Sequence, residues 1–479
     1  MTSPAPLLGI DLGTQSVKVA AIRDGVVIAS ATRAYPVSSP HPGWAQTDPV
    51  QWREAVDSAA ADVIAQTGHP AAVGLSGQMH GVVATGAELQ ALTPGIVWAD
   101  GRSVDQAQRM SADLGSEHLA RLGSSAFPGF LGPTAAWLWQ HEPEIASEIR
   151  WLLPAKDFLR ATLTGEVATD GSDASGTLLL DVIDRAWDPE ALAVCGITEV
   201  QLPPIEASDA AAGVIASGPL RGTPVCVGGA DTACVIHGLG LSAGEGYVGL
   251  GTGSQIVAVL DEPLIDPSVR THTFLTVATT SGAAGMPAST GWYRMAAVQS
   301  GGLALSRALS WMGASVPEAQ AALAQGVRPD DPIFLPFVAG ERSPFLDPEL
   351  RASWTGLSLA TDRPALLRSV LEGMAFAAAA GGLALGSVLP AGPLPVVGGG
   401  SRDSDYLRVL AGLLDRALLP VDTSDAAVIG AARLAGSMQG LDVEAIRATG
   451  SPAIEPVVSP LMTERFAQWQ ATVDERLGT

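Results

Sequence analysis

Apolar runs fill residues 6–35 and break twice, at Gly13-Thr14 and at Asp24-Gly25. The pattern predicts three strands joined by two tight turns, a β-meander. From 47 to 68 the period lengthens. Trp52, Val56, Ala59, Ala60, Val63 and Ile64 fall on one face of a helix, with Asp48 as its N-cap and Pro49 at its first position. Residues 71–81, AAVGLSGQMHG, read as a short buried strand ending in a polar, glycine-flanked turn. Strands and helices alternate up to PVCVGGADTA, 224–233, an apolar strand that runs into glycines and an aspartate. The opening device then repeats: GEGYVGLGTGSQIVAVLDE, 244–262, is again strand, Gly-Thr turn, strand. The two Gly-Thr pairs lie 238 positions apart, half the chain, which predicts a duplicated α/β domain with a boundary near 236–243. Beyond it, Leu366, Leu367, Val370, Leu371 and Met374 predict a helix at 362–384. LPVVGGGSRDSDYLRVLAGLLDRAL, 394–418, is strand, triple-glycine turn, helix, and 424–436 is a helix stopped by Gly436.

With 479 residues, two domains each have enough chain for a core. A net charge of −22 argues against a nucleic-acid or anionic-membrane partner. An anionic ligand must then be held by local geometry, with backbone N–H groups at turns and helix starts as donors. Lysine occurs only at Lys18 and Lys156. The three cysteines, Cys195, Cys226 and Cys234, form no CxxC pair, and no leader-like segment opens the chain, so a reducing cytoplasm is expected. The uncharged stretch 373–401 is broken by Gly-Gly and two prolines and reads as a buried helix, a turn and a buried strand.

Four strand ends carry glycine beside polar groups: Asp11-Leu-Gly-Thr, Gly229-Ala-Asp231-Thr, Leu250-Gly-Thr-Gly253 and Gly398-Gly-Gly-Ser401. Each alone is an ordinary turn. Together, in two similar halves, they suggest a cleft in which backbone turns face a phosphate chain from both sides. A carboxylate beside phosphates calls for a metal between them, so Asp11 is expected to face a hydrated Mg²⁺ while Gly13 and Thr14 touch phosphate oxygens. The chain has no GxxxxGK[ST] loop, no HExxH and no cysteine cluster; GLSAG, 240–244, matches GxSxG but lacks the strand before and the helix after.

These turns resemble those of the actin, Hsp70 and sugar-kinase superfamily, and nearly the whole chain resembles the FGGY carbohydrate kinases. The resemblance is carried by GLSGQMHG (74–81), WADGR (98–102), FPGF (127–130), LLPAKDFLR (152–160), TGEVATDGSDASGT (164–177), GGADTA (228–233), LGTGS (250–254) and AGERSP (339–344). It implies two ribonuclease H-like domains with a cleft between them: 1–238 for the sugar and the catalytic base, 239–479 mainly for the nucleotide. It implies ATP-dependent phosphorylation with Mg²⁺, and QMHG points to D-xylulose as the sugar. By the same resemblance Asp231 is the base, which fits a poor hydroxyl nucleophile that must lose its proton. The resemblance assigns sugar contacts to Met79 and His80, with Gln78 and Asp100 beside them. Nucleotide contacts carry over to Gly13, Thr14, Gln15, Gly251, Thr252, Gly301, Gly400 and Ser404, and Lys18 is placed either at a phosphate or on a strand face. A homodimer is implied, although no interface signal stands out.

The chain departs from the family pattern in places. No lysine follows FPGF, where Thr134 and its neighbours stand. Ala99 replaces an asparagine, Ala365 an acidic or amide residue, LGTGS a commoner LGTS, and SDAAVIGAA differs at its acidic start. These leave open another ketose or polyol as substrate, and, from other classes, a nucleotide switch or an inactive sugar-binding regulator.

Overall fold

The structure, a computed structural model, describes residues 5–280, 291–421, 425–441, 443–446 and 452–478. It begins with the expected meander, β1 (Leu7–Leu12), β2 (Ser16–Arg23) and β3 (Val26–Ala34), followed by α1 (Pro49–Thr67) and β4 (Ala72–Gly77). Asp48 caps α1 by accepting from Val50 N at 3.0 Å. Trp52, Val56, Ala59, Ala60 and Val63 are buried against the sheet, while Ile64 lies at its margin. A long excursion carries α2 (Ala155–Thr164) and the short α3 (Gly171–Ser175). The chain then returns as β5 (Pro224–Cys226), β6 (Gly229–Ala230) and α4 (Asp231–Leu239).

The second half repeats the order with β7 (Gly246–Leu250), β8 (Ser254–Leu260), β9 (Trp292–Val298), α5 (Gly302–Met312), α6 (Arg363–Ala384), β10 (Leu394–Val397), α7 (Ser404–Leu414), β11 (Leu418–Pro420), α8 (Ala426–Met438) and α9 (Pro460–Leu477). In the first sheet the spatial order is β3-β2-β1-β4-β5; in the second it is β9-β8-β7-β10-β11. In each, the first three strands are antiparallel and the last two join in parallel. The duplication read from the Gly-Thr repeat is therefore a duplication of topology, in a two-domain α/β fold of the actin, Hsp70 and sugar-kinase type.

Helix α6 is long and apolar enough to cross a membrane, yet it lies in the second core. Its charges are paired there, Arg368 with Asp331 at 2.6 Å and Glu372 with Arg465 at 2.5 Å. Helix α8 starts at Ala426 and runs past Gly436 to Met438; the expected first residue, Ser424, lies outside the described residues.

Helix α8 belongs to the second half in sequence but packs on the first sheet. Its Val428, Ile429, Ala432 and Ala435 share a cluster with Leu7, Ala20, Ile22 and Ala72. Glycine makes this approach feasible. A Cβ on Gly74 would stand 1.8 Å from Ala431 O, and one on Gly430 would stand 1.9 Å from Cys234 O in α4. A rigid strand and a rigid helix leave neither partner room to give. Gly74→Ala is therefore expected to cost about 3 kcal/mol, read as a lower urea midpoint. Gly392→Ala, in open space, serves as control, and an unchanged midpoint for Gly74→Ala would mean that α8 is not seated there.

Candidate active site

The carboxyl ends of the parallel strands gather the acidic groups. Asp11 on β1 stands in register with Ser76 on β4, and Ser76 with Gly229 on β6, so Asp11, Ser76 and Asp231 open on the same edge of the sheet. Ser76 Oγ donates to Asp11 Oδ1 at 2.8 Å. Burial raises the pKa of Asp11. Asp231 is pushed up to about 6, first by burial and then by the negative charge of Asp11. Asp231 is the first residue of α4, and Ala230, not Asp231, occupies the cap position. Its Oδ1 accepts from Thr232 N at 2.6 Å and Thr232 Oγ1 at 3.2 Å; no bond to Oδ2 is made among the described residues.

The Gly13-Thr14 turn is braced by Trp98, Gln78 and Tyr35. Trp98 Nε1 donates to Thr14 Oγ1 at 2.9 Å, Gln78 Nε2 approaches Gly13 O at 3.4 Å, and Tyr35 Oη donates to Gly13 O. Gln15 is exposed beside it. Gln78 itself is buried, and its Oε1 has no hydrogen-bond partner. A buried lone acceptor is costly unless a ligand or water serves it.

His80 holds φ at 78°, a region that favours glycine. It stacks on Phe130 with ring centroids 4.0 Å apart, and its Nδ1 lies 2.8 Å from Gly176 O. Because a carbonyl only accepts, Nδ1 carries the proton. Burial, with Arg342 nearby, drops the His80 pKa to about 3, so the ring is neutral and Nε2 is an acceptor. Met79 is buried alongside, with its sulfur 3.5 Å from Tyr293 Oη.

Two expected contacts are committed elsewhere. Asp100 accepts from Arg102 N and Nε at Oδ1 (2.8 and 2.9 Å) and from Ala45 N and Arg102 Nη2 at Oδ2 (2.6 and 2.9 Å). With about four lone-pair sites on a carboxylate, none is left for a sugar hydroxyl. Asp100 thus clamps a loop, while the Arg102 guanidinium lies 3.8 Å from the Trp44 ring centroid. Lys18, the other, is ion-paired with Asp425 at the start of α8 and ties the two halves together.

In the second half, Gly251 and Thr252 are exposed at the end of β7, and their carbonyls accept from Gly302 N and Leu303 N at 2.9 and 3.0 Å. Gly301 backs this turn: a Cβ there would meet Gly253 C at 2.6 Å. A cavity of ≈ 840 Å³ lies beyond the triple-glycine turn, lined by Ser401, Arg402, Ser404, Leu407, Pro420 and Ile454 among others. Ser404 opens α7 there, with Asp403 as the cap. Gly301, expected to share that pocket, is not in its lining. Gly400 backs the turn against Leu250, whose Cβ would be 2.7 Å from an added Cβ.

The residues present suit a hydrated Mg²⁺. The negative charge of Asp11 bears on Asp231, and burial disfavours the ionised form of both, so a counter-charge between them would be favourable; no set of three or more ligating side chains occurs among the described residues. That is the donor set of an ion held by one or two carboxylates, its own waters and phosphates, not of an all-protein cage.

Sequence reasoning missed how Asp231 is positioned. Ala230 N donates to Ser172 Oγ at 2.9 Å, and Ser172 Oγ donates to Asp170 Oδ2 at 2.5 Å. The peptide before Asp231 is thus pinned to α3. The TDGSDAS motif was visible, but nothing local told which backbone it would hold.

Comparison with known proteins agrees with this architecture. The model of the FGGY family of carbohydrate kinases, N-terminal domain, matches residues 7–238, and that of the C-terminal domain matches residues 246–438. The chain is 34% identical over 444 residues to the xylulose kinase of Escherichia coli (strain K12), covering 89% of each. It is 35% identical over 391 residues to the xylulose kinase of Klebsiella pneumoniae, covering 78% of this chain and 77% of that one. The crystal structure of a xyloylose kinase from Brucella ovis superposes with a TM-score of 0.88 at 32% identity, over 99% of both chains.

Proposed function

We propose that this chain, which belongs to the FGGY family of carbohydrate kinases and uses ATP to phosphorylate a sugar, acts on D-xylulose with Asp231 as its general base. The observation that carries the base is the location of Asp231 at the strand-end edge, beside Asp11, with its proton affinity raised into the range useful near neutrality. The sugar is inferred from the GQMHG turn and from the xylulose kinases to which the chain is similar.

In this reading the sugar lies mainly against residues 1–238 and ATP mainly against 239–479. Neutral His80 accepts a sugar hydroxyl at Nε2, Gln78 Oε1 accepts another, and Met79 packs on the carbon chain. The terminal hydroxyl oxygen attacks the γ-phosphorus, the bond from that phosphorus to the bridging oxygen breaks, and the hydroxyl proton passes to Asp231. Mg²⁺, held by Asp11 through its waters, would neutralise charge on the phosphates. The backbone of Gly13, Thr14, Gly251 and Thr252 orients them. Closure of the halves excludes water, which Asp231 would otherwise activate.

The test is a coupled ADP-release assay with Mg·ATP across D-xylulose, L-xylulose, D-ribulose, L-ribulose, glycerol, D-arabitol and no sugar. Turnover is expected to depend on D-xylulose. Preference for another sugar would keep the mechanism and replace the substrate; sugar-independent turnover would overturn the reading.

A further inference from the structure

The AGERSP segment of the second half carries a cation with no assigned task. Its backbone is fixed: Arg342 N donates to Glu341 Oε1 at 2.8 Å, and Leu346 N donates to Arg342 O at 2.6 Å. Glu341 is held by three backbone donors, taking Gln299 N at 2.6 Å and Ser300 N at 3.3 Å as well. It therefore fastens the loop behind the Gly251–Gly253 turn; its charge bears on Arg342, but its oxygens are engaged by backbone N–H groups. The Arg342 guanidinium crosses the cleft to three rings of the first half, 5.0 Å from the Phe127 centroid, 5.4 Å from Trp98 and 5.9 Å from Phe130. Phe130 stacks on His80, and Trp98 holds Thr14. Among the described residues its side chain makes no hydrogen bond and no ion pair.

A guanidinium has five donors and no acceptor. Held over aromatic faces it gains cation–π attraction, but its N–H groups still need oxygen partners when water is excluded. It lies against Phe130, the ring that stacks on His80, and its positive charge lowers the proton affinity of His80 and His272. Arg342 therefore belongs to the His80 side of the pocket. We propose that Arg342 completes the sugar site from across the cleft by donating hydrogen bonds to the end of the sugar opposite the phosphorylated hydroxyl, and that this selects a ketose over a polyol. The inference rests on the ketose-kinase reading above. The chemistry is one of matching: a ketone oxygen only accepts, as a guanidinium only donates, whereas a polyol hydroxyl at that carbon also brings a hydrogen that finds no acceptor on Arg342.

The experiment compares the wild type with Arg342→Met and Arg342→Lys, using D-xylulose, xylitol and D-arabitol with saturating Mg·ATP. The wild type is run first; no activity on D-xylulose would sink the underlying reading, independently of Arg342. With the wild type active, Arg342→Met is expected to raise the KM for D-xylulose about 100-fold, to leave the KM for ATP within about twofold, and to cut the preference for D-xylulose over the polyols about tenfold. Arg342→Lys keeps the charge and loses the planar fork, and is expected to fall between. An unchanged D-xylulose KM overturns the inference. So does an equal loss for ketose and polyol, or a KM for ATP that rises in step, since either makes Arg342 only a latch between the halves. Should Arg342→Met not fold, the same criteria applied to Arg342→Lys decide.

Discussion

Asp231→Asn is expected to lower sugar-dependent kcat about 1,000-fold while leaving the KM for ATP nearly unchanged. The substitution keeps size and polarity and removes only the ability to take a proton, which is worth about 10²–10⁴ in rate. In the wild type the acid limb follows from the same group. With the base at about 6, kcat/KM is flat above that pH and falls about tenfold per unit below it, because only the ionised form accepts the hydroxyl proton. Stability moves the opposite way. The pKa of Asp231 is about 6 folded against 3.8 as the ordinary value, so the folded state binds the extra proton between about pH 4 and 6. The stabilisation this brings is present in full below about pH 4 and is lost as pH rises through about 6. At neutral pH the ionised carboxylate is therefore a liability on the order of 3 kcal/mol, and asparagine relieves it. Thermal melts of the variant should lie above the wild type at pH 7 and coincide with it at pH 4. A variant that is dead and less stable at pH 7 would mean that Asp231 holds the fold, not the reaction.

The contrast between Asp231 and Asp100 shows what a sequence makes legible. Both follow strand-like segments inside motifs and both look like ligands. For Asp231 the strand, the glycines and the aspartate are contiguous, so its place at the sheet edge could be read directly. Asp100 is consumed by Arg102, two residues on, and by Ala45, 55 residues back. The second partner is set by the packing of a loop that no local period encodes. Lys18 fails in the same way, its partner Asp425 being brought in by α8 from the far end of the chain. The duplication was legible because glycine and threonine recur where the backbone must turn sharply. The seating of α8 on the first sheet was not, although its physical cause, Gly74 against Ala431, stands in the sequence as a glycine amid a strand. Arg342 was hidden for a related reason: the rings it reaches, Trp98, Phe127 and Phe130, lie more than 200 positions earlier in the other half of the chain.

Lys156→Met is the second large effect, with an expected loss of about 3–5 kcal/mol in stability. The Lys156 ammonium has no exposure; it lies 2.8 Å from Asp157 Oδ1, 3.1 Å from Asp170 Oδ1 and 3.2 Å from Asp173 Oδ2. Arg160 adds a second cation, 2.6 Å from Asp157 Oδ1, and spends other donors on Val227 O and Ala168 O. The two cations hold Asp157 below the usual carboxylate range once burial is overcome, while burial, and after it the negative charges of Asp157 and Asp170, push Asp173 well above it. Methionine in place of Lys156 fills the space and removes one cation, which leaves a buried negative charge without a partner. The damage reaches the reaction through Asp170, Ser172 and the peptide of Ala230, so the surviving folded fraction should also show reduced kcat with sugar KM intact. The charge count itself can be checked by urea unfolding of two further variants. Asp157→Asn should cost about as much as Lys156→Met, because it strips an ionised partner. Asp173→Asn should cost less than about 1 kcal/mol, because an amide relieves the burial and like-charge crowding that disfavour its ionised form. Equal losses from the two would mean that Asp173 is ionised and that the cluster carries one more negative charge than its cations balance.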